Sequence, residues 1–183
     1  IAGHGILDGT YNSMFNDSLI KSANQESINN NKTSGSYHRF IELNNCNNAT
    51  IEGITLHNST SWQVVPIKCH NIKINNIKIV SDNPSDDGID VVNSQHVNIT
   101  NCFIRTKDDC IAIKSYLMNP RGPDVDGVHV NKCTLWNALW GNGLEIGFEL
   151  NSSEVRNITF SDCDIINVET GAVVSIQHAG RAT

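Results

Sequence analysis

The 183-residue chain has little of what builds long helices, spans a bilayer or grips nucleic acid. It holds only four prolines, and aromatic residues make up 6%. Runs of Ala, Leu and Glu are scarce, so long helices are not expected. Charged residues reach 17%, with 13 Lys and Arg against 19 Asp and Glu, a net charge of −6. Nucleic-acid and anionic-membrane partners need basic patches, and neither is expected here. No apolar run approaches the roughly 18 residues of a membrane span. Neither Cys-x-x-Cys nor His-x-x-x-His spacing occurs, so no metal site and no cofactor is expected.

Asparagine is abundant instead, with Val, Ile and Thr between. Five segments align without gaps. They are Ala49 to Leu56, Ile72 to Ile79, Val97 to Ile104, Val128 to Leu135 and Ile158 to Ile165. Each is a short β pattern with a kink at its centre, usually at Asn, Asp or Gly. Successive units lie 23 to 31 residues apart. A second strand family lies between them: Gly88 to Val92, Cys110 to Lys114, Gly143 to Gly147 and Val173 to Gln177. Apolar residues alternate there at period two, which buries one face and leaves the other outward. Aligned columns at a steady period define a solenoid, which a β-sandwich would not require. The expected fold is all-β, a right-handed parallel β-helix forming a single domain over residues 1–183. The chain opens inside a patterned segment, Ile1 to Gly9, and stops at Gly180-Arg181-Ala182-Thr183 without a cap. An incomplete piece of a longer solenoid, truncated at both ends, is therefore expected.

The cysteines obey the repeat. Cys102, Cys133 and Cys163 share one aligned position, and Cys46 and Cys69 share another. Small buried residues in stacked ladders explain them, although neighbouring coils are close enough for a disulfide.

The chemistry lies in the second family. Asp87, Asp109 and Asn142 each stand two residues before the first inward apolar residue, Ile89, Ile111 and Leu144. In a β-helix they stack on consecutive coils at one sheet edge, with Asp108 beside Asp109. Carboxylates so close repel one another, and at least one pKa must rise. A protonated acid beside an ionised base is the pairing that glycosidic hydrolysis uses. Beyond them, Asp90, Ala112, Glu145 and Ser175 form one outward column expected to be exposed, and Val92, Lys114, Gly147 and Gln177 form the next. Lys114, Glu145 and Gln177 are candidate cleft residues beside the acids. The insertion from Ser115 to Gly127, with Tyr116, Arg121 and Asp124, is a candidate wall. Trp62, Trp136 and Trp140 are candidates for stacking on sugars.

At these residues the sequence resembles the polygalacturonase family of glycoside hydrolases, pectin-cleaving enzymes with a right-handed parallel β-helix. Ile1 to Gly9 is similar to the family's Gly-x-Gly-x-x-Asp-Gly. Ser59-Thr60-Ser61-Trp62 is similar to Ser-Pro-x-Trp, and Ser85-Asp86-Asp87-Gly88-Ile89-Asp90 to Asn-Thr-Asp-Gly-Ile-Asp. Lys107-Asp108-Asp109-Cys110-Ile111-Ala112-Ile113-Lys114 resembles Gly-Asp-Asp-Cys-Ile-Ala-Ile-Lys. The resemblance implies that Asp108 protonates the glycosidic oxygen. Asp87 and Asp109 then orient and deprotonate the attacking water, with inversion and without a metal. A coil spacing of about 4.8 Å falls short of the roughly 6.5–9.5 Å between inverting carboxylates, so inversion needs side chains that splay apart. Polysaccharides lie outside the cell, which implies an extracellular or periplasmic location.

Two departures bear on the substrate. Gly141-Asn142-Gly143-Leu144-Glu145-Ile146-Gly147 matches Gly-His-Gly-Leu-Ser-Ile-Gly, with Asn142 in place of the histidine. The family's Arg-Ile-Lys falls at Ser175-Ile176-Gln177, so both cations that hold a galacturonate carboxylate are missing. Glu145 adds negative charge nearby. The expectation is polygalacturonase-like machinery on a neutral or differently decorated glycan, with Asn142, Lys114, Glu145, Gln177, Tyr116 and Arg121 contacting a polysaccharide or oligosaccharide. Lys114 or Arg121 is the candidate to hold a uronate if pectin is the substrate. Two other readings fit the fold: a non-catalytic, tailspike- or adhesin-like glycan binder, and a polysaccharide lyase with Ca²⁺ on the acid patch.

Overall fold

The computed structural model describes residues 1–9, 39–116, 123–151 and 154–178. Strand β1 (Ile6–Asp8) comes first. Full coils follow: β2 (Ile41–Asn44), β3 (Asn47–Glu52) and β4 (Thr55–His57); then β5 (Val64–Ile67), β6 (His70–Asn75) and β7 (Lys78–Val80). Next come β8 (Ile89–Val92), β9 (Gln95–Thr100) and β10 (Phe103–Thr106), and β11 (Ile111–Ser115), β12 (Val125–Asn131) and β13 (Thr134–Asn137). The last are β14 (Leu144–Leu150), β15 (Val155–Ser161) and β16 (Asp164–Val168), with β17 (Val174–Ile176) opening a further coil.

Each strand pairs with the one three places on. Sheet I holds β2, β5, β8, β11, β14 and β17. Sheet II holds β3, β6, β9, β12 and β15, and sheet III holds β1, β4, β7, β10, β13 and β16. Pairing is parallel in all three. The chain is a right-handed parallel β-helix, the hand that parallel crossovers favour.

The corners explain the asparagines. Asn45, Lys68 and Asn93 turn the chain from sheet I to sheet II. Gly53, Asn76, Asn101, Lys132 and Asp162 turn it from sheet II to sheet III, at the kink of each repeat. Asn48, Asn71, His96, Gly127 and Asn157 bend the strands of sheet II. All of them have φ between 43° and 78°. Asn, Asp and Gly enter this left-handed region at least cost.

Inside, like stacks on like. Ile51, Ile74, Ile99 and Val130 form one ladder in sheet II, and Leu56, Ile79, Ile104 and Leu135 one in sheet III. All eight are buried. Each such side chain contributes about 1.5–3 kcal/mol by leaving water. Cys69, Cys102, Cys110 and Cys133 are buried and Cys46 and Cys163 half-buried, all as free thiols.

The outer face of sheet I departs from expectation. Asp90, Ala112, Glu145 and Ser175 were predicted to be exposed, yet they are 0, 0, 3 and 6% exposed. Val92, Lys114 and Gly147 are buried too, whereas Gln177 is exposed. Lys114 reaches across this face, and the Trp62 ring lies 4.1 Å from its Nζ. Alternation decides the side of a sheet on which a residue stands, not what covers that side.

Candidate active site

The site stands at the edge of sheet I, where the chain enters each strand. Gly88 N donates to Asp109 O at 2.8 Å, and Cys110 N to Asn142 O at 2.9 Å. These bonds stack Asp87, Asp109 and Asn142 on consecutive coils, as the sequence register required. The neighbouring column is Asp86, Asp108 and Gly141. Gly88 has room for no side chain: a Cβ there would meet Cys110 O at 2.4 Å and the Ile104 side chain.

Asp86 is a residue that sequence reasoning passed over. It is fully buried. Its Oδ1 accepts Lys107 N at 2.7 Å and Asp108 N at 3.1 Å, and its Oδ2 accepts Asn83 N at 3.1 Å. It therefore fixes the backbone that carries Asp108 from the coil before. The same alignment that stacks Asp87 under Asp109 puts Asp86 under Asp108, and that was the signal. Above Asp108 stands Gly141, at φ +72°, where a Cβ would lie 2.5 Å from Asp108 Oδ1.

Asn142 clamps Asp109. Its backbone N–H donates to Asp109 Oδ1 at 2.6 Å and its side-chain amide to the same oxygen at 3.1 Å. The amide also donates to Glu145 Oε2. Asn142 Oδ1 accepts Ala172 N at 2.8 Å. The amide thus holds two carboxylates, Asp109 and Glu145, and no proton of its own is exchanged.

Lys114 is not an open substrate contact. Its Nζ lies 2.9 Å from Asp87 Oδ2 and 2.9 Å from Asp90 Oδ1, with all three side chains buried. Those two carboxylates hold its ammonium charged far above the usual lysine range, against the opposing effect of burial. Lys107 Nζ turns away to Asp82, at 3.2 Å.

Negative charge therefore exceeds positive. Burial, then the Asp87 charge, pushes the Asp108 carboxyl up to about 6. Burial, then Asp87, then Glu145, pushes Asp109 up to about 8. Burial also raises Asp86. A low-polarity cluster short of cations retains protons, as close carboxylates must.

The remaining candidates are Tyr116, Gln177 and Arg121. Tyr116 N donates to Asn93 Oδ1 at 2.8 Å, and burial with nearby Glu149 pushes its phenol up to about 12. Gln177 is exposed at the end of the described helix. Arg121 lies outside the described residues. Among the described residues, no group of three or more His, Cys, Asp or Glu side chains is arranged to hold a metal ion.

Comparison with known proteins gives the class to which this parallel β-helix belongs. The model for glycosyl hydrolases family 28 matches residues 1–181. The polygalacturonase of Juniperus ashei is 33% identical over 185 residues, covering 98% of this chain and 34% of that protein. The exopolygalacturonase of Zea mays is 31% identical over 130 residues, covering 68% of this chain and 29% of that one. The solved family 28 exopolygalacturonase of Yersinia enterocolitica superposes with a TM-score of 0.71 at 17% identity, covering 89% of this chain and 34% of that one. The chain belongs to glycosyl hydrolases family 28. It spans about a third of the length of the relatives it matches.

Proposed function

We propose that this chain carries the catalytic centre of a polygalacturonase-like glycosidase, acting outside the cell on a polysaccharide by inverting acid–base hydrolysis. The observation that carries the reading is the split among stacked acids. Asp108 is raised to about 6 and partly open to solvent, while Asp87 is tied to the Lys114 ammonium. Asp108 gives its proton to the glycosidic oxygen. Asp87 takes the proton of the attacking water, which Asp109 helps to hold. Because Asp109 itself retains a proton up to about pH 8, the base role falls chiefly on Asp87. General acid and base groups are each worth about 10²–10⁴-fold in rate.

The substrate is a neutral or decorated glycan rather than plain polygalacturonate. Lys114 is engaged by Asp87 and Asp90, and Ser175 and Gln177 offer no charge to a uronate. A sugar carboxylate beside Glu145 meets repulsion without a partner.

The test is product analysis by NMR on polygalacturonate, rhamnogalacturonan, dextran and galactan. The proposal predicts turnover of a neutral or branched glycan with the anomeric configuration inverted in the first product. Retained configuration overturns the mechanism, and preference for polygalacturonate overturns the substrate assignment. One observation favours a second reading, a glycan binder without turnover: Asn142 cannot titrate where the resemblance expects a histidine. Binding of a glycan with no product from any polymer would establish it.

A further inference from the structure

We infer that Trp140 is a sugar-stacking platform next to the scissile bond, a substrate-binding residue of the site described above. The inference rests on the proposed glycosidase reading. Trp140 lies in the turn between β13 and β14, immediately before Gly141, whose backbone packs on the Asp108 carboxylate. The residue is 53% exposed. An exposed aromatic residue on a turn whose backbone adjoins the acid cluster is placed to meet a bound sugar.

The turn is pinned from three directions. Trp140 N donates to Lys107 O at 2.5 Å, on the coil before. The buried Asn137 amide donates both to Trp140 O and to Asp108 O, the latter at 2.7 Å. From the coil after, Thr170 Oγ1 donates to Leu139 O. One amide therefore ties the backbone of the proton donor to the backbone of the tryptophan. A backbone held this firmly leaves only the side chain to order when a ligand binds.

The other two tryptophans are differently engaged. Lys114 Nζ stands 4.1 Å and Arg39 Cζ 4.9 Å from the Trp62 ring. Arg105 Cζ stands 5.7 Å from the Trp136 ring, on sheet III rather than sheet I. Among the described residues no cation stacks on Trp140. Its face suits the C–H side of a pyranose, which carries no charge to satisfy. That agrees with a site unable to pair a uronate.

The experiment is calorimetric binding of β-1,4-galactohexaose, isomaltohexaose, xylohexaose and hexagalacturonate to the Asp108→Asn protein, which removes turnover. The tightest probe is then titrated against Trp140→Ala and Trp140→Phe in the same background. Alanine should weaken binding by about tenfold or more, in line with stacking losses elsewhere, and phenylalanine should restore most of it. In the active protein the same alanine should raise KM and leave kcat nearly unchanged. Ligand-induced quenching of tryptophan fluorescence should vanish in Trp140→Phe and persist in Trp136→Phe. Unchanged affinity in Trp140→Ala overturns the platform while leaving the hydrolase reading intact. Failure of every probe to bind, together with no turnover of any polymer, overturns both.

Discussion

Asn142 aims two donors, its backbone N–H and its side-chain amide, at a single oxygen, Oδ1 of Asp109. The amide also bonds Glu145, so one side chain serves two carboxylates one coil apart. Asn142→Asp keeps the shape and replaces the donor by a third acceptor. A buried acceptor left without its donor costs about 1–3 kcal/mol. Urea unfolding should show that loss, and activity should fall at least about tenfold.

Lys114 is the cation inside the cluster, and its removal strands two buried acids. Lys114→Met should destabilise the fold by about 3–5 kcal/mol, the usual cost of breaking a buried pair. Lys114→Met with Asp90→Leu should recover part of it, because one stranded acid is gone. Denaturation midpoints of the two proteins decide the matter. Equal stability of Lys114→Met and the parent would contradict the ion-pair geometry.

The raised carboxyls give stability a definite pH slope. Free aspartate titrates near about 3.9, while Asp108 and Asp109 titrate at about 6 and about 8 in the fold. The folded state therefore binds more protons than the unfolded state between about pH 4 and 8. Their contribution is complete below pH 4 and is lost as pH rises through 6 and 8. Urea midpoints should be higher at pH 5 than at pH 7.5. Glu145→Gln removes one cause of the Asp109 shift and should narrow that difference. In the active protein, kcat/KM should decline as pH passes upward through about 6, where Asp108 loses its proton.

Gly141 and Asp86 bracket Asp108 from the coils above and below. A methyl at Gly141 would meet both Asp108 Oδ1 and Asp109 N at 2.5 Å, on a backbone at φ +72°. Gly141→Ala should cut kcat by about tenfold or more by moving Asp108, the proposed proton donor. Asp86→Ala frees the N–H groups of Lys107 and Asp108 and should do the same, with a displaced pH profile. A profile identical to the parent's would show that Asp86 does not position Asp108.

The fold was legible because a solenoid writes each contact into the chain at a fixed interval. Ile51, Ile74 and Ile99 align in sequence and stack in space. The kinks at Asn76 and Asn101 were legible as well, since the left-handed corners select that residue. The column of Asp87, Asp109 and Asn142 followed from the same arithmetic. The burial of Asp90 and Glu145 did not, because periodicity is silent about what lies over a sheet. The engagement of Lys114 did not, because a long side chain reaches across coils that alignment treats as separate. Asp86 was legible in principle: its column was written beside that of Asp87, and an aspartate at a bend commonly accepts backbone N–H groups.

The account rests on Asp108 as the proton donor, and one comparison tests it most directly. Reducing-sugar release is measured for the parent and for Asp108→Asn on the polymer the parent cleaves best. The substitution keeps the size of the side chain and removes its proton. The account predicts a loss of about 10²–10⁴-fold. An Asp108→Asn protein as active as its parent would contradict it.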